Sequence, residues 1–457
     1  MGELNCFKAY DVRGEIGKNF NPEICYRISR AFAKFFQAKR IVIGYDARST
    51  SIDLTESAIQ GLRDEGVEVF ELGLCGTEEV YWATTNFNAC GGIEVTASHN
   101  PINYNGLKFV KSQSRPLNPI KELAVIKDWA EKDKFGAKKK LGIRRDFREE
   151  ARESYIKKLL TFVNTGVFRD YKVVVNSGNG AAGPTFDCLR NKLSDLSCPL
   201  IFEHMFSEPD GNFPNGIPNP MNSENQMPTR VKVLELSADL GVAFDGDFDR
   251  CFICDEEGNF IEGEYIVALL SEIFLKREVG ATIVHDPRVV WAIQEVVRRN
   301  GGTFLQSMTG HAFFKEKIRE SNAIYGGEMS AHHYFRDFCF CDSGMIPWLK
   351  IVEFMSLQDL PLSEIIRPIR ESFPSSGEIN FDVRDSNLAM ARISENFDKD
   401  SVCKDYSDGL SLTFKDWRLN LRQSQTEPLI RLNIESRGNR ELIGKKLDEI
   451  NALIRDC

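Results

Sequence analysis

Residues 40–72 read RIVIGYDARSTSIDLTESAIQGLRDEGVEVFEL, and this stretch decides the fold. Its first part, residues 40–45, is a β-branched run that predicts a strand ending at Asp46. Residues 53–65 have the apolar spacing of an amphipathic helix, and residues 67–72 predict a second strand. A helix between two short strands is typical of an α/β unit with a largely parallel sheet.

The same order of strand, polar loop and helix recurs in the middle of the chain. The predicted elements there are a helix at 151–162, strands at 171–175 and 240–244, a helix at 264–276, a strand at 282–285, a helix at 289–299 and a strand at 303–306. We interpret these segments as two further α/β units that form a weak internal repeat with the first.

The last part of the chain has a different pattern. Strands are predicted at 377–383, 410–414, 417–422 and 430–434. One long helix at 439–453 follows them, which indicates an α+β unit. The fold class is therefore α/β, with three similar mixed α/β domains and a C-terminal α+β domain. The expected domains are 1–148, 149–253, 254–362 and 363–457, with a hinge near residues 360–374.

Composition and charge exclude several classes of protein. The chain has 457 residues, with 58 Lys and Arg against 67 Asp and Glu, which gives a net charge of −9. A chain this acidic is a poor candidate for binding nucleic acid or an anionic membrane through its overall charge. No apolar run reaches the roughly 18 residues of a membrane span, and the N-terminal residues do not resemble a signal peptide. Twelve scattered cysteines without an export signal favour a reducing, cytoplasmic setting.

Ligands of such sheets bind beyond the carboxyl ends of the strands, so the polar loops after the predicted strands are candidate sites. The first is TASHNP, residues 96–101, in which Ser98 follows the small Ala97 and precedes a turn at Asn100. Its hydroxyl can be presented to a ligand, although a serine needs a proton acceptor or a cation to act as a nucleophile. An ordinary turn serine is the alternative.

The second loop is DGDFDR, residues 245–250. Asp245, Asp247 and Asp249 alternate, so in an extended chain their side chains would project to one side. Three clustered carboxylates resist ionising together unless a cation lies among them, and hard oxygen ligands suit Mg²⁺ or Ca²⁺. We predict a site of the Mg²⁺ type, since an EF-hand would need glycine where Arg250 stands and helices on both sides.

Two later loops have groups that bind sugars and phosphates. In GEMSAHH, residues 327–333, Glu328 and Ser330 can hydrogen-bond to sugar hydroxyls, and His332 can move protons near neutral pH. In RQSQTEPLIR, residues 422–431, two guanidiniums and two hydroxyls can hold a phosphate dianion. These four groups belong to Arg422, Ser424, Thr426 and Arg431. A satisfied turn and a surface ion-pair loop are the respective alternatives.

A glycine-rich loop favours a different function. Gly178, Gly180 and Gly183 match the G-x-G-x-x-G pattern of dinucleotide-binding loops directly after a predicted strand, and Glu203 lies further on. An NAD-binding oxidoreductase that uses residues 178–183 is therefore a rival hypothesis. It does not explain three aspartates in one loop, and Pro184 stands where a helix should begin.

In this order and spacing, the loops resemble those of the α-D-phosphohexomutase superfamily, in its bacterial phosphomannomutase/phosphoglucomutase branch. The matching segments are FKAYDVRG at 7–14, GYDAR at 44–48, GTEEVY at 76–81, TASHNPINYNGLK at 96–108 and the later loops DGDFDR, GEMSAHHYF and RQSQTEPLIR. They cover nearly the whole chain, and the ordered set is far more specific than any single motif. The resemblance implies four domains around a central cleft, with one loop from each.

The resemblance also implies a mechanism. Ser98 would be carried as phosphoserine, and Asp245, Asp247 and Asp249 would hold Mg²⁺ against its phosphate, so that Ser98 counts among the metal ligands. The phosphoserine would donate to one hydroxyl of a hexose monophosphate. The product, a hexose 1,6-bisphosphate, would turn over and return its other phosphate to Ser98.

Further positions match cleft residues of the family. Lys108 and His332 match groups that transfer protons or stabilise charge, and Glu328 and Ser330 match groups that read the sugar. Arg250 is assigned to the catalytic set. The matches assigned to substrate binding are Arg13, Arg288, His311 and the phosphate-loop residue Gln425, where many members have Asn.

We therefore expect a phosphohexomutase that interconverts mannose 6-phosphate and mannose 1-phosphate, with glucose phosphates as further candidate substrates. Met329 in GEMS favours these sugars by analogy with the family. A phosphoglucosamine mutase is the alternative within the fold, and a non-catalytic phosphosugar-binding protein is another. The expected partners are small hexose phosphates, with no nucleic acid and no membrane, and the expected state is a monomer or homodimer.

Overall fold

The computed structural model describes residues 3–423 and 429–455. Within these residues the strands are β1 Val12–Glu15, β2 Arg40–Tyr45, β3 Glu68–Leu74, β4 Gly91–Val95, β5 Tyr104–Lys111, β6 Arg144–Asp146, β7 Lys172–Asn176, β8 Ile201–Met205, β9 Leu240–Phe244, β10 Cys251–Asp255, β11 Thr282–His285, β12 Thr303–Gln306, β13 Tyr325–Gly327, β14 His333–Phe335, β15 Cys341–Asp342, β16 Ser375–Asp382, β17 Cys403–Asp405, β18 Leu410–Thr413, β19 Trp417–Gln423 and β20 Leu429–Ser436. The α-helices are α1 Pro22–Phe35, α2 Ser51–Asp64, α3 Thr77–Asn86, α4 Ala124–Lys132, α5 Arg148–Leu160, α6 Ala182–Asp195, α7 Ser223–Leu236, α8 Gly263–Arg277, α9 Trp291–Arg299, α10 His311–Ser321, α11 Met345–Gln358, α12 Leu362–Ser372, α13 Ser386–Phe397 and α14 Arg440–Ile454.

The chain divides into two units. Unit 1 comprises Met1–Phe260 and His332–Pro361, and unit 2 comprises Ile261–Ala331 and Leu362–Cys457.

The first sheet of unit 1 has the strand order β1-β5-β4-β2-β3-β6. Strand β2 pairs in parallel with β3 and β4, whereas β5 runs antiparallel to β4 and β1. Helices α1 and α2 pack against each other, and their apolar residues join a core with Ile41 and Ile43 of β2. Because β2 and β4 are parallel neighbours, the chain leaves both at the same edge of the sheet, after Tyr45 and after Val95.

The second sheet of unit 1 has the order β10-β9-β7-β8. Strands β7, β8 and β9 are parallel, and β10 is antiparallel to β9, with Cys251 opposite Phe244. Residues 245–250 therefore form the connection of a β-hairpin. The glycine-rich loop that follows β7 leaves the sheet at the same edge, because β7 and β9 are parallel neighbours.

The rest of unit 1 includes the short antiparallel pair β14–β15, in which Tyr334 lies opposite Asp342. Helix α11 follows it and is buried along most of its length, including the indole of Trp348. The pair is therefore followed along the chain by a helix that lies in the protein interior.

Unit 2 contains two groups of strands. In the first, β11 lies between β12 and β13 and is parallel to both. The second is an antiparallel sheet of order β16-β20-β19-β18-β17. Its core includes Phe397, Phe414 and Trp417, and the last two rings stack with their centroids 4.2 Å apart.

The expected fold class is confirmed: parallel and mixed α/β sheets precede an antiparallel C-terminal sheet with its own helices. The predicted strands at 40–45, 240–244, 282–285 and 303–306 have the observed bounds, and the other predicted elements differ by one to three residues at one or both ends. The three predicted domain boundaries stay predictions. Within the described residues, none of the helices has the length and apolar content that crossing a membrane requires.

The predicted hinge near residues 360–374 coincides mainly with a helix. Helix α12 covers Leu362–Ser372 and buries Leu362, Ile366 and Ile369, which are spaced four and three residues apart. Pro368 lies inside it and lacks the N–H that an interior helical residue donates. Unit 1 ends at Pro361 and unit 2 resumes at Leu362, so the predicted segment begins at the division between the units, and the hinge stays a prediction.

Glu264, in the first turn of α8, is a buried acid in unit 2. One of its carboxylate oxygens accepts a hydrogen bond from the Ser375 hydroxyl, and the other has no hydrogen-bond partner among the described residues. Burial raises the pKa of Glu264 to about 7. The folded chain therefore keeps this proton at pH values where an unfolded chain has lost it, so the acid destabilises the fold as the pH rises from about 4.5 to about 7.

We expect Glu264→Gln to raise the free energy of unfolding at pH 8 by about 2–3 kcal/mol, because the amide keeps the shape of the acid without its buried charge. The gain should largely vanish at pH 5, where the acid is protonated. Thermal unfolding at both pH values measures this. Glu262→Gln is the control, since Glu262 is 38% exposed and pairs with Arg370. An equal effect of Glu264→Gln at both pH values would contradict the prediction.

Candidate active site

The acidic loop, residues 245–250, contains a cluster of carboxylates. Strand β9 is buried along its whole length, so the loop begins in the interior. Asp245, Asp247 and Asp249 are all buried, and one side-chain oxygen from each lies within 4.8 Å of those of the other two. The three carboxylates that the sequence singled out are therefore brought together.

A tight turn produces this convergence, and the expectation of an extended chain was wrong. Phe248 has a left-handed φ of 43°, and its N–H donates to the carbonyl of Asp245 at 3.1 Å. Its ring lies so close to Gly76 that a Cβ there would come within 2.2 Å of it. Burial of Phe248 thus stabilises the turn. The alternation of aspartates in the sequence does not predict this turn.

The serine loop, residues 96–101, lies directly against the acidic loop. A Cβ on Gly246 would come within 2.6 Å of the Ser98 carbonyl oxygen, so only glycine fits between the two backbones. Ser98 itself has a left-handed φ of 49° and is buried. Its hydroxyl donates to Asp245 Oδ2 at 2.7 Å. The predicted partnership of Ser98 with the acidic loop is thus present as a direct contact.

Arg48 holds the serine loop in place. Its guanidinium donates to the carbonyls of Ser98 at 2.9 Å and Pro101 at 2.8 Å, and also to those of Asn100 and Tyr104. Few side chains can satisfy four carbonyls at once, and the planar fork of arginine is suited to it. Arg48 belongs to the quoted motif GYDAR but was not predicted as a site residue.

Arg13, predicted to bind substrate, contacts the same loop. Its Nη1 donates to the Ala97 carbonyl at 2.8 Å and to the side chain of Asn100, and its Nε pairs with Asp11 at 3.0 Å. The structure therefore gives Arg13 a role in holding the serine loop.

Lys108 is the principal counter-ion of the acidic loop. Its ammonium lies 2.7 Å from Asp247 Oδ2 and 2.6 Å from Asp249 Oδ2. Burial by itself lowers the pKa of Lys108, but the two carboxylates outweigh it and raise the pKa above its ordinary value. The contact with both carboxylates therefore favours the charged form of Lys108.

The two aspartates that share Lys108 titrate differently. Burial acts against both charges, but Lys108 and a hydrogen bond from Thr77 at 2.7 Å lower the pKa of Asp247. Burial and the charge of Asp247 raise the pKa of Asp249 to about 6. Two carboxylates this close do not ionise independently, and positive charge beside them favours the form in which both are ionised.

The acidic loop fits a divalent cation. Asp247 Oδ1 and Asp249 Oδ1 are buried and have no hydrogen-bond partner among residues 3–423 and 429–455. Buried carboxylate oxygens are normally satisfied, so two orphaned ones in a cluster of three acids indicate a missing positive partner. Asp245, Asp247, Asp249 and the Ser98 oxygen could supply the hard oxygen ligands that Mg²⁺ prefers.

Arg250 and His99 adjoin the Ser98 hydroxyl. Arg250 Nε donates to Asp245 Oδ2 at 2.8 Å, and its Nη2 donates to His99 Nδ1. Burial and the guanidinium of Arg250 lower the pKa of His99 well below its usual value, so the ring is neutral. Because arginine can only donate, Nδ1 is the accepting nitrogen, and it lies 3.0 Å from Ser98 Oγ.

His332, predicted as a proton-transfer group, lies in unit 1 beside the same loop. Its Nδ1 is 3.1 Å from Asp342 Oδ2 and 3.9 Å from Asp249 Oδ1. A backbone bridge between Arg250 and His332 fixes the two chain segments to each other. Asp342 ends β15, and no sequence signal associated it with His332.

Unit 2 contains a second cluster, at the ends of β11 and β13. Arg288 pairs with Asp286 through Nε at 3.1 Å and Nη2 at 2.7 Å. The same Nη2 lies 3.4 Å from Ser330 Oγ and 4.0 Å from Glu328 Oε2. Asp286 also accepts the N–H of Met329 at 2.8 Å, which ties the two loops together. The predicted residues Arg288, Glu328 and Ser330 are thus neighbours.

His311, another predicted substrate-binding residue, is the first residue of α10. The Gly310 N–H just before it donates to Glu328 Oε2 at 3.0 Å. The buried side chain of Glu328 therefore holds the start of α10 close to the loop at residues 327–333.

The predicted phosphate loop is described only at its two ends. Arg422 and Arg431 face each other on the paired strands β19 and β20. Both contact Glu378, at 2.8 Å from Arg422 and 3.4 Å from Arg431. Ser424, Gln425 and Thr426 lie outside the described residues.

The glycine-rich loop supports the acidic loop. The backbone N–H groups of residues 178–181 donate to Asn176 Oδ1 at 2.9 Å and to the carbonyls of Phe206 at 2.9 Å, Ser177 at 2.8 Å and Gly246 at 3.0 Å. A Cβ on Gly180 would lie 2.8 Å from the Gly246 oxygen. These N–H groups are therefore occupied within the protein, which disfavours a dinucleotide phosphate there.

One sequence argument against the dinucleotide loop was nevertheless wrong. Helix α6 does begin there, at Ala182, and Pro184 lies in its first turn. A proline is tolerated in that turn because the first N–H groups of a helix have no intrahelical partner.

Comparisons with known proteins agree with this geometry. Family models for phosphoglucomutase/phosphomannomutase domains I, II and III, each described as α/β/α, match residues 4–136, 153–258 and 262–373. A curated phosphomannomutase from Salmonella montevideo is 48% identical over 455 residues, which is 99% of this chain and 100% of that protein. The chain belongs to the phosphoglucomutase/phosphomannomutase family.

Solved structures extend the likeness to the whole fold. A phosphoglucomutase/phosphomannomutase family protein from Burkholderia thailandensis has a TM-score of 0.87 and 27% identity, and the match covers 100% of this chain and 98% of that one. An N-acetylphosphoglucosamine mutase from Aspergillus fumigatus, solved with GlcNAc-6P and magnesium, has a TM-score of 0.65 at 13% identity. That match covers 99% of this chain and 96% of the Aspergillus chain. At that identity, the second match shows the fold alone.

Sequence reasoning missed several residues of these clusters. Two lie inside quoted motifs, Arg48 in GYDAR and His99 in TASHNP, so their motifs could have found them. Asp342 and Glu378 lie in segments without a recognisable motif, and only their contacts reveal them.

We expect Gly246→Ala to separate the serine and acidic loops in this family member, because the added methyl group would clash with the Ser98 carbonyl. Hexose-phosphate mutase activity should fall at least about 100-fold, and stability by about 1–3 kcal/mol. Steady-state kinetics and thermal unfolding measure the two effects.

Gly444→Ala in α14 is the matched control, since a Cβ there has nothing within 4 Å. It should leave activity unchanged. Near-normal turnover in Gly246→Ala would show that the close approach of the loops is unimportant.

Proposed function

We propose that this protein is a phosphohexomutase that interconverts mannose 6-phosphate and mannose 1-phosphate through a phosphoserine at position 98. The observation that carries the proposal is the Ser98 hydroxyl, 2.7 Å from Asp245 within a buried cluster of three carboxylates. The name of the Salmonella montevideo relative, phosphomannomutase, supports mannose phosphates as the substrates.

Phosphoryl transfer from Ser98 needs positioning and charge stabilisation more than covalent chemistry. In the proposed step, the bond between phosphorus and Ser98 Oγ breaks while a sugar hydroxyl oxygen forms the new bond to phosphorus. The hydroxyl proton passes to His332, whose Nδ1 lies 3.1 Å from Asp342 Oδ2. The hexose 1,6-bisphosphate then turns over, and the reverse step returns its other phosphate to Ser98 and the proton to the sugar.

The acidic loop is proposed to bind Mg²⁺ through Asp245, Asp247, Asp249 and the oxygen on Ser98. Bound there, Mg²⁺ would neutralise negative charge on the transferring phosphoryl group. The Lys108 ammonium lies 2.7 Å from Asp247 and 2.6 Å from Asp249, so we assign it to charge stabilisation at this cluster. Arg250 neutralises Asp245 on the other side of the serine hydroxyl.

Unit 2 is proposed to recognise the substrate. The side-chain oxygens of Glu328 and Ser330 would hydrogen-bond to sugar hydroxyls. Arg288 Nη2 lies 4.0 Å from Glu328 Oε2 and 3.4 Å from Ser330 Oγ. Arg422 and Arg431 supply guanidiniums for the phosphate that does not react. Ser424, Gln425 and Thr426, as well as Arg13 and His311, stay predictions as substrate-binding residues.

A phosphoglucosamine mutase is the alternative that the same fold allows. Parallel assays with mannose 1-phosphate, glucose 1-phosphate and glucosamine 1-phosphate distinguish the substrates, and a preference for the last would refute the proposed one. The NAD-dependent alternative predicts thermal stabilisation by NAD. The cytoplasmic location and the monomeric or dimeric state stay predictions.

Ser98→Ala should abolish turnover and leave the fold intact, because alanine can carry no phosphate. Intact-mass spectrometry of the purified wild type should show one phosphoryl group, localised to Ser98 by peptide mapping. Ser112→Ala is the control, since Ser112 is an exposed serine in the same unit. Normal activity in Ser98→Ala would refute the phosphoserine mechanism.

Asp247→Asn should weaken Mg²⁺ binding at least about tenfold, because it removes one charged ligand from the cluster. Calorimetric titration of the metal-free protein with Mg²⁺ measures this without relying on turnover. Asp195→Asn on the exposed end of α6 is the control. Equal Mg²⁺ affinity in the wild type and Asp247→Asn would place the metal elsewhere.

A further inference from the structure

Glu378, in β16, lies among three guanidiniums of unit 2. Its Oε2 is 2.8 Å from Arg422 Nη2 and 3.7 Å from Arg288 Nη1, and its Oε1 is 3.4 Å from Arg431 Nη1. The side chain is only 14% exposed. A single carboxylate therefore bridges the arginines that the sequence assigns to substrate binding.

The sheet directs Glu378 to this place. Strand β20 lies between β16 and β19, so residues of all three strands share one surface. The pairing register shifts between Ser375 and Glu378, and Gly377 has a left-handed φ of 66°. Such irregularities change the direction of the side chains that follow, and they are frequent beside functional sites.

The guanidiniums need an anion between them. Burial and the nearby charge of Arg288 lower the pKa of Arg422, which shows that the two cations repel each other. A phosphate dianion suits such a cluster, because guanidiniums bind phosphate through paired hydrogen bonds. A carboxylate on the same donors would compete with that phosphate, since two anions cannot share them without repulsion.

We propose that Glu378 is a built-in competitor for phosphate in this arginine cluster. It neutralises the guanidiniums when no phosphate is bound, and it lowers the affinity of the cluster for a phosphate group. This extends the proposed function, in which the phosphate belongs to a hexose phosphate. In the proposed reaction, the hexose bisphosphate has to present first one phosphate and then the other to Ser98. The arginine cluster must therefore release a bound phosphate group as well as bind it.

If Glu378 loses its charge, Arg288 and Arg422 should still each have a carboxylate partner. Arg288 keeps Asp286 at 2.7 Å, and Arg422 keeps Asp408 at 3.8 Å. Glu378→Gln preserves the size of the side chain and removes only its charge, so the sheet should still form. A circular dichroism spectrum and the thermal midpoint check this.

Inorganic phosphate is the probe for the test, with the full chain in a calorimetric titration. Glu378→Gln should bind phosphate about tenfold more tightly than the wild type, equivalent to about 1.4 kcal/mol. Asp382→Asn is the matched control, because it makes the same charge change at an exposed position of the same strand. Its phosphate affinity should equal that of the wild type.

Unchanged or weaker phosphate binding in Glu378→Gln would overturn the inference, because a carboxylate that only orients the arginines would produce that result. If Glu378→Gln fails to fold, Glu378→Asp decides, since its shorter side chain withdraws the charge. It should tighten phosphate binding to a smaller extent, and weaker or equal binding would overturn the inference.

Kinetics provide a second readout that depends on the proposed mutase. In Glu378→Gln, both KM for mannose 1-phosphate and kcat should fall, because the substrate binds more tightly and the bisphosphate reorients more slowly. A rise in KM would contradict the inference. Phosphate binding does not require turnover, so absence of mutase activity would refute the proposed function and leave the test of Glu378 intact.

Discussion

Close packing of three loop backbones in unit 1 is the constraint on which the rest of this site depends. Gly180 lies against the carbonyl of Gly246, and Gly246 lies against the carbonyl of Ser98, with no room for a side chain at either contact. The glycine-rich loop thus supports the acidic loop, and the acidic loop supports the serine loop. Each of these loops follows a strand that ends at a sheet edge. The close approach of the loop backbones places the Ser98 hydroxyl 2.7 Å from Asp245 Oδ2.

In each unit, a charged side chain of the protein lies on the groups that are proposed to bind a ligand. In unit 1, the Lys108 ammonium lies on the carboxylates proposed to bind a cation. In unit 2, the Glu378 carboxylate lies on the guanidiniums proposed to bind a phosphate. Leaving any of these charges unpaired in the interior would cost several kcal/mol. An internal counter-ion stabilises the unliganded protein, and a ligand of the same sign has to compete with it.

The success of the sequence predictions varied with the range of the interactions. Strands such as 282–285 were predicted with their observed bounds, because a short apolar run between polar residues is a local signal. Helix α1 was overlooked, although Asn21 caps it and Pro22 is its first residue. Helix α12 was not predicted within the proposed hinge at residues 360–374, although Leu362, Ile366 and Ile369 have helical apolar spacing. The three acidic residues singled out in the sequence do lie together, but the turn that gathers them depends on a distant contact between Phe248 and Gly76.

Composition, local periodicity and the order of the motifs were enough to predict the α/β class and the family and to single out the polar loops. In contrast, which side chains contact each other could be seen only in the folded structure. Asp342 lies beside His332, Arg48 holds the serine loop, and Glu378 bridges arginines from other segments. The physical reason is that helix and strand patterns arise from neighbours along the chain, whereas these contacts join residues from separate segments. No spacing in the sequence encodes the backbone distances that place such groups within hydrogen-bonding range.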